Sequence, residues 1–269
     1  MRSVALLVSL PILCHSLETK PWLGTSYECT FGSAFTYSRY SKVQNASVQL
    51  KSPSNDYDVL FDLGFTASPQ FDVQAELELV QTPRQSFGVR SAAIQARYQI
   101  LDDIAGDPIS CALGINLRGV PNDSLRDVSS PYAGNYNVEL TGAIGKEWSC
   151  GGHWTSRAYA FATGGIAEQG LPWTRALMVW QKNVQNTHHF TAFATGLFGF
   201  GTKQHVNVRH FHGWGKFHHQ SIDLGASYGY HFGVYGTLSA SYAYRVFARD
   251  FPENVNFFTL SYEIPFSLL

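Results

Sequence analysis

The feature that most constrains this chain is a strict two-residue alternation of apolar and polar side chains, repeated in segment after segment. From Asp56 to Phe65, the residues Tyr57, Val59, Phe61, Leu63 and Phe65 share one face of an extended strand. Asp58, Asp62 and Gly64 lie on the other, with Leu60 as the exception. Next, Phe71, Val73, Ala75, Leu77 and Leu79 oppose Asp72, Gln74, Glu76 and Glu78. The pattern returns at Ala92–Ile100, Ile109–Leu117, Ile222–Tyr230 and Phe258–Phe266. A period of two means strands whose faces meet two different environments. No later stretch reaches 18 apolar residues, so the sequence contains no transmembrane helix.

Alternation alone does not say which face points inward, because a soluble sandwich shows it too. Three observations decide for the membrane. First, the connections alternate in length: those at 40–54, 120–134 and 202–217 are long, while those at 67–70, 149–152, 185–188 and 233–234 are short. Short turns at one end and long loops at the other mark an outer-membrane barrel. Second, aromatics gather near strand ends and read as interfacial girdles: Trp148 and Trp154, Phe232 and Tyr235, and Tyr37, Tyr57, Trp173, Tyr244 and Phe247. Third, Arg2 followed by the short apolar run Val4–Leu13 reads as a secretory signal, cleaved after Ser16. Only 14% of residues are charged, where a soluble domain carries roughly 25%. The expected architecture is therefore all-β: a transmembrane antiparallel up-and-down β-barrel of about 12 strands. Residues 1–16 form the signal peptide and 17–269 the barrel, located in the cell outer membrane with both termini at the short-turn end.

The polar faces predict a charged lumen. Asp58, Asp62, Asp72, Glu76, Glu78, Glu139, Asp223 and Glu263 share it with Arg97, Arg118 and Arg245. Arg157 and Arg175 are placed inward as well, because a lipid-facing arginine costs roughly 2–4 kcal/mol at mid-membrane. Tyr159 and Phe161 then follow them into the lumen, where they narrow or plug it. The turn at 81–86 sets Asp72 opposite Arg97. These charges form either a selectivity lining or a network that bridges and fills a narrow barrel.

Five histidines crowd the long loop after residue 202: His205, His210, His212, His218 and His219. In an extended segment His210 and His212 share a face, a spacing that suits Zn²⁺ or Cu²⁺. The alternative is a solvated loop. The thiols beyond the signal are Cys29 and Cys111, on apolar strand faces, and Cys150, in a turn; this odd number leaves Cys150 open to intermolecular pairing. A net charge of −1 argues against nucleic acid as a partner.

The final strand, Phe258–Phe266, resembles the C-terminal recognition strand of outer-membrane barrels, although Ser267-Leu268-Leu269 replaces the usual terminal Phe. That resemblance implies the outer-membrane assembly machinery as a partner, alongside outer-membrane lipid. Arg97–Ser110 and Asp127–Asn135 resemble segments of uncharacterised exported barrels of the chlamydial lineage, which implies an outer-membrane location in an intracellular bacterium. No catalytic motif and no cofactor motif is present. The leading expectation is a small channel or porin-like protein for small polar solutes, with a polar, charge-lined lumen. The alternatives are a plugged barrel acting as a surface-exposed structural or adhesive protein, and a rim-sited hydrolase.

Overall fold

The structure is a computed structural model that describes residue 17 and residues 19–267. The expected signal peptide lies outside the described residues. Twelve antiparallel strands close into one barrel. They are β1 (Glu28–Tyr40), β2 (Ser54–Ser68), β3 (Phe71–Gln81), β4 (Gly88–Leu101), β5 (Ser110–Gly119) and β6 (Tyr136–Cys150), followed by β7 (His153–Ala167), β8 (Trp173–Val184), β9 (His188–Gly199), β10 (Gln220–His231), β11 (Thr237–Arg249) and β12 (Asn256–Ser267). Each strand pairs with its neighbours in sequence, and β12 returns to β1 with Glu28 opposite Ser267. Closure leaves no unpaired edge, the condition for a sheet to sit in hydrocarbon.

The alternation divides cleanly between the two faces. Leu63, Leu77, Ile94, Leu113, Leu140, Met178, Leu224 and Phe258 stand exposed on the outside. Asp58, Asp72, Glu76, Gln95, Asn116 and Glu139 are buried within. Leu60, the one apolar residue on its polar face, is buried in the lumen.

The short turns have the backbone their residues favour. Gly151 and Gly152 link β6 to β7 with φ of 63° and 82°. Two successive positive values are what a two-residue hairpin matched to strand twist requires, and glycine adopts them without strain.

The long loops do not hang in solvent. Residues 42–43 pair with 252–253, and 46–48 pair with 206–207. A one-turn helix, α1 (Asn122–Leu125), lies within the loop between β5 and β6. Val43, Val128, Val206, Phe211, Trp214 and Phe251 from different loops bury one another in a common apolar core. Trp214 is wholly buried, and its Nε1 donates to the Ser130 carbonyl at 2.7 Å. Burying such side chains contributes roughly 1.5–3 kcal/mol each, so this end of the barrel carries a folded lid.

Three local expectations are corrected. Trp154 does not join a lipid girdle: a bulge after Trp148 puts it opposite Ser149 and turns it inward, where it packs on His189 with ring centroids 5.0 Å apart. Trp173 is buried at the top of the lumen, its ring 5.4 Å from the Arg175 guanidinium. Cys150 ends β6 rather than sitting in the turn, and it is exposed; Cys29 is buried and Cys111 half-buried.

Candidate functional site: the barrel lumen

The lumen is asymmetric in height and around its circumference. The long polar side chains of the lumen come mostly from β2 to β8, and in the half nearer the long loops these interlock. Arg90 lies 2.7 Å from Asp58 and 3.3 Å from Glu78. Glu78 also accepts from Ser91 at 2.9 Å and from the Tyr132 hydroxyl at 2.6 Å. Arg118 pairs with Glu76 and reaches Glu139 at 3.7 Å, while Arg175 reaches the other oxygen of Glu139 at 3.2 Å. On the opposite wall Arg245 makes two parallel bonds to Asp223, at 2.7 and 2.9 Å, and stacks over Phe251. Lower down, Arg97 Nε donates to Asp72 at 3.0 Å.

Of the residues singled out from the sequence, Asp58, Asp72, Glu76, Glu78, Arg97, Arg118, Glu139, Asp223 and Arg245 are buried on the inward face. Asp62 and Glu263 line the wider half near the short turns. Arg157 and Arg175 point inward too, Arg157 onto Glu147 at 2.6 Å. Tyr159 and Phe161 are buried in the lumen.

Sequence reasoning missed three groups. Arg84, Asp127 and Tyr132 come from loops: Arg84 Nε donates to Asp127 at 2.7 Å, and Arg84 and Arg90 belong to one connected set with Asp56 and Asp58. Burial raises the Asp127 pKa, but the Arg84 guanidinium, the Thr82 hydroxyl and the Ser129 N–H outweigh it and hold the carboxyl below its ordinary value. Arg90 sits on the outward parity of β4, but a bulge between Glu78 and Leu79 turns it inward. The third group is the N-terminal segment. Leu17, Thr19 and Lys20 line the lumen, Arg97 Nη1 donates to the Lys20 carbonyl at 2.6 Å, and Trp22 packs edge-on against Tyr159. The Trp22 indole donates to Asp103 at 2.7 Å in the turn between β4 and β5. Burial raises the Asp103 pKa, yet hydrogen bonds from Ser110, the Glu147 N–H and Trp22 bring it below its ordinary value.

Among the described residues the lumen holds two sizeable cavities and a small one of about 20 Å³ bordered by Gln95, Asn116 and Phe161. The one beneath the lid measures about 100 Å³ and is bordered by Asp58, Arg90, Arg175 and Arg245. The one near the short turns measures about 280 Å³ and is bordered largely by serine and threonine.

The histidines do not converge. His210 and His212 are both exposed, on either side of buried Phe211. His205 contacts the Asn45 carbonyl. His219 is buried between Trp214 and Phe251 and is withdrawn from any shared site. No group of three or more metal-ligating side chains gathers among the described residues. His205, His218 and His219 thus do not gather with His210 and His212 among the described residues: Val206, Val208, Phe211 and Trp214 of that loop are drawn into the lid.

No family profile matches the chain, and no curated protein matches it in sequence. In fold it is similar to an outer-membrane channel from Pseudomonas putida F1, with a TM-score of 0.66 and 10% identity over 91% of this chain and 97% of that one. It is also similar to the NanC porin, with a TM-score of 0.52 and 10% identity over 88% of this chain and all of the other. The chain is thus a closed twelve-stranded antiparallel barrel that resembles outer-membrane proteins, and its apolar outer belt fits the cell outer membrane.

Proposed function

We propose that the chain is a narrow outer-membrane channel for small polar solutes, held shut in this conformation by its N-terminal segment and by the loop lid. The observation that carries this reading is the pair of cavities stacked along the lumen, the wider of them bordered mainly by polar side chains. The likeness in fold to a channel and a porin supports it. The carboxylates of the upper half are taken up in arginine pairs, which favours a passage over a hydrolase. The short-turn end faces the periplasm and the lid faces outward, as in other barrels of this design. The apolar face of β12 is the surface offered to the assembly machinery. The chlamydial lineage is the source we infer from Arg97–Ser110 and Asp127–Asn135.

A second reading, a plugged structural or adhesive barrel, is favoured by the burial of Trp214 in the lid core. Planar-bilayer recording separates the two. The full mature chain should conduct rarely. Trp22→Ala, which releases the N-terminal segment from Asp103 and Tyr159, should raise stepwise conductance. Silence from both proteins at high load overturns the channel.

A further inference from the structure

Two of the long loops, residues 40–54 and 202–217, contain no aspartate or glutamate, although the chain as a whole has a net charge of −1. They carry Lys42, Lys51, Lys203, Arg209 and Lys216, all exposed. The salt bridges of the lid engage Arg84 and Arg126, and none of these five enters one among the described residues. Acids at this surface are few and mostly occupied. Asp123 is paired with Arg126, and Glu168 accepts from the Asn135 and Tyr136 N–H groups at 2.7 and 2.6 Å. Half-buried Glu253 stands opposite Lys42.

The fold gathers the five cations onto one face. Residues 46–48 pair with 206–207, and Ser47 Oγ donates to the Val206 carbonyl at 3.3 Å, so the two loops are laced together. Within the second loop the Thr202 N–H donates to the Lys216 carbonyl at 2.9 Å, which draws the backbone at 203 toward that at 216. Within the first, the Gln49 amide bonds both backbone groups of Val43, at 2.7 and 3.1 Å, which folds Lys51 back toward Lys42. Beneath them Val43, Val206, Val208, Phe211 and Trp214 are buried in the lid core. The cations therefore stand on a fixed backbone, which lowers the ordering cost of binding.

We propose that this face of the lid binds a linear sulfated polysaccharide outside the cell. A fixed set of cations suits a polymer that repeats its anions, as in heparin-binding patches. Four of the five are lysines, which act as point charges and demand no planar, bidentate partner. Exposed Gln44, Asn45, Ser47 and Gln204 add hydrogen-bonding groups for sugar hydroxyls. Single-stranded nucleic acid is held by aromatic platforms for its bases, but Phe211 and Trp214 are turned into the core. A protein partner calls for an apolar centre, and the valine, leucine and aromatic side chains of both loops are buried or half-buried. Lipid phosphates lie lower, where Arg39 and Arg249 stand at the tops of β1 and β11 beside the girdle. The inference depends on the lid facing outward and not on whether the lumen conducts.

The test is surface plasmon resonance of the full mature chain, folded in non-ionic detergent, over immobilised heparin, dextran and single-stranded DNA. At ~0.15 M salt, where screening acts over about 8 Å, heparin should bind saturably with Kd on the order of micromolar. DNA should bind more weakly, and dextran, which has the sugar without the anions, should not bind. Lys203→Gln/Arg209→Gln/Lys216→Gln should weaken heparin about a hundredfold, near fivefold for each cation. Lys42→Gln/Lys51→Gln should weaken it about twentyfold and serves if the triple variant does not fold. Lys146→Gln/Lys182→Gln, at the short-turn end, should bind as the wild type does. Fluorescent heparin should decorate intact cells carrying the wild type more than cells carrying the triple variant. No saturable heparin binding, DNA bound as tightly, binding to dextran, or unchanged affinity in folded lid variants overturns the proposal. Binding in detergent without decoration of cells overturns the role outside the cell.

Discussion

Asp72 and Arg97 stand directly opposite each other on β3 and β4, and the guanidinium that binds the carboxylate also holds the Lys20 carbonyl of the N-terminal segment at 2.6 Å. One cross-strand pair therefore fastens both the wall and the segment that occupies the lumen. Both side chains are buried. Asp72→Asn leaves a buried guanidinium without its counter-charge and should cost about 3 kcal/mol. Asp72→Asn combined with Arg97→Met removes the stranded charge and should recover part of that loss. Urea unfolding in detergent, followed by tryptophan fluorescence, measures both. Equal destabilisation by the single and double variants would mean that the stranded guanidinium is not the source of the loss.

The outer face makes a second prediction. Leu77 and Leu224 are exposed on the lipid side. Leu77→Arg and Leu224→Arg should each destabilise the barrel by roughly 2–4 kcal/mol near the midplane. Ser239→Ala, on the inner wall, should assemble normally. Lumen carboxylates are not neutral controls, because Glu76 and Asp223 each hold a buried arginine. Heat-modifiable mobility on gels reports assembly, and tolerance of both arginines would refute the lipid assignment.

What was legible in the sequence follows from periodicity. Wherever one face meets lipid and the other the lumen, alternation is enforced at every residue, so the strands and the inward placement of Asp58, Glu76 and Arg118 could be read directly. Periodicity fails where a bulge slips the phase, which is why Trp154 and Arg90 were assigned to the wrong face or overlooked. It also fails in irregular loops, whose buried residues have no fixed spacing: nothing marked Val43, Val128 and Trp214 as one core. Leu17 to Trp22 carries no repeat either, so its entry into the lumen left no signal. The cross-strand alignment of Thr191, Ser227, Ser241, Thr259 and Thr36 was visible only as polar residues, because it depends on the register between strands.

The lid should loosen in mild acid. His219 is packed between Trp214 and Phe251, and burial pushes its imidazole down to about 4, with neighbouring His218 and Arg245 acting in the same direction. An opened lid returns it to about 6.5. Below that value the open state binds the proton that the closed state refuses, so closure is fully favoured above about pH 6.5 and weakens as pH falls toward 4. The difference amounts to about 3 kcal/mol at most. Asp127, held below its ordinary value, loses its contribution only at lower pH still. Limited proteolysis within residues 203–216 should accelerate between pH 7 and 5 in the wild type but not in His219→Phe. The same pH response in the variant would assign it to another group.

Topology gives the last prediction, and the chain carries its own probe. Cys150 is exposed at the short-turn end, whereas Cys29 is buried and Cys111 half-buried. A membrane-impermeant maleimide should therefore leave intact cells unlabelled and react at Cys150 once the outer membrane is permeabilised. At the other end Lys203 is exposed on the lid, so Lys203→Cys should label on intact cells. Epitope insertion follows the same logic. Gln44 and His210 are exposed and should tolerate a tag, but Ser124 is fully buried, and its hydroxyl donates to the Val89 carbonyl at 3.1 Å. A tag at Ser124 should break α1 out of the lid, while one at Asp123, one residue earlier and exposed, should be reached by antibody. Labelling of Cys150 on intact cells would invert the barrel in the membrane.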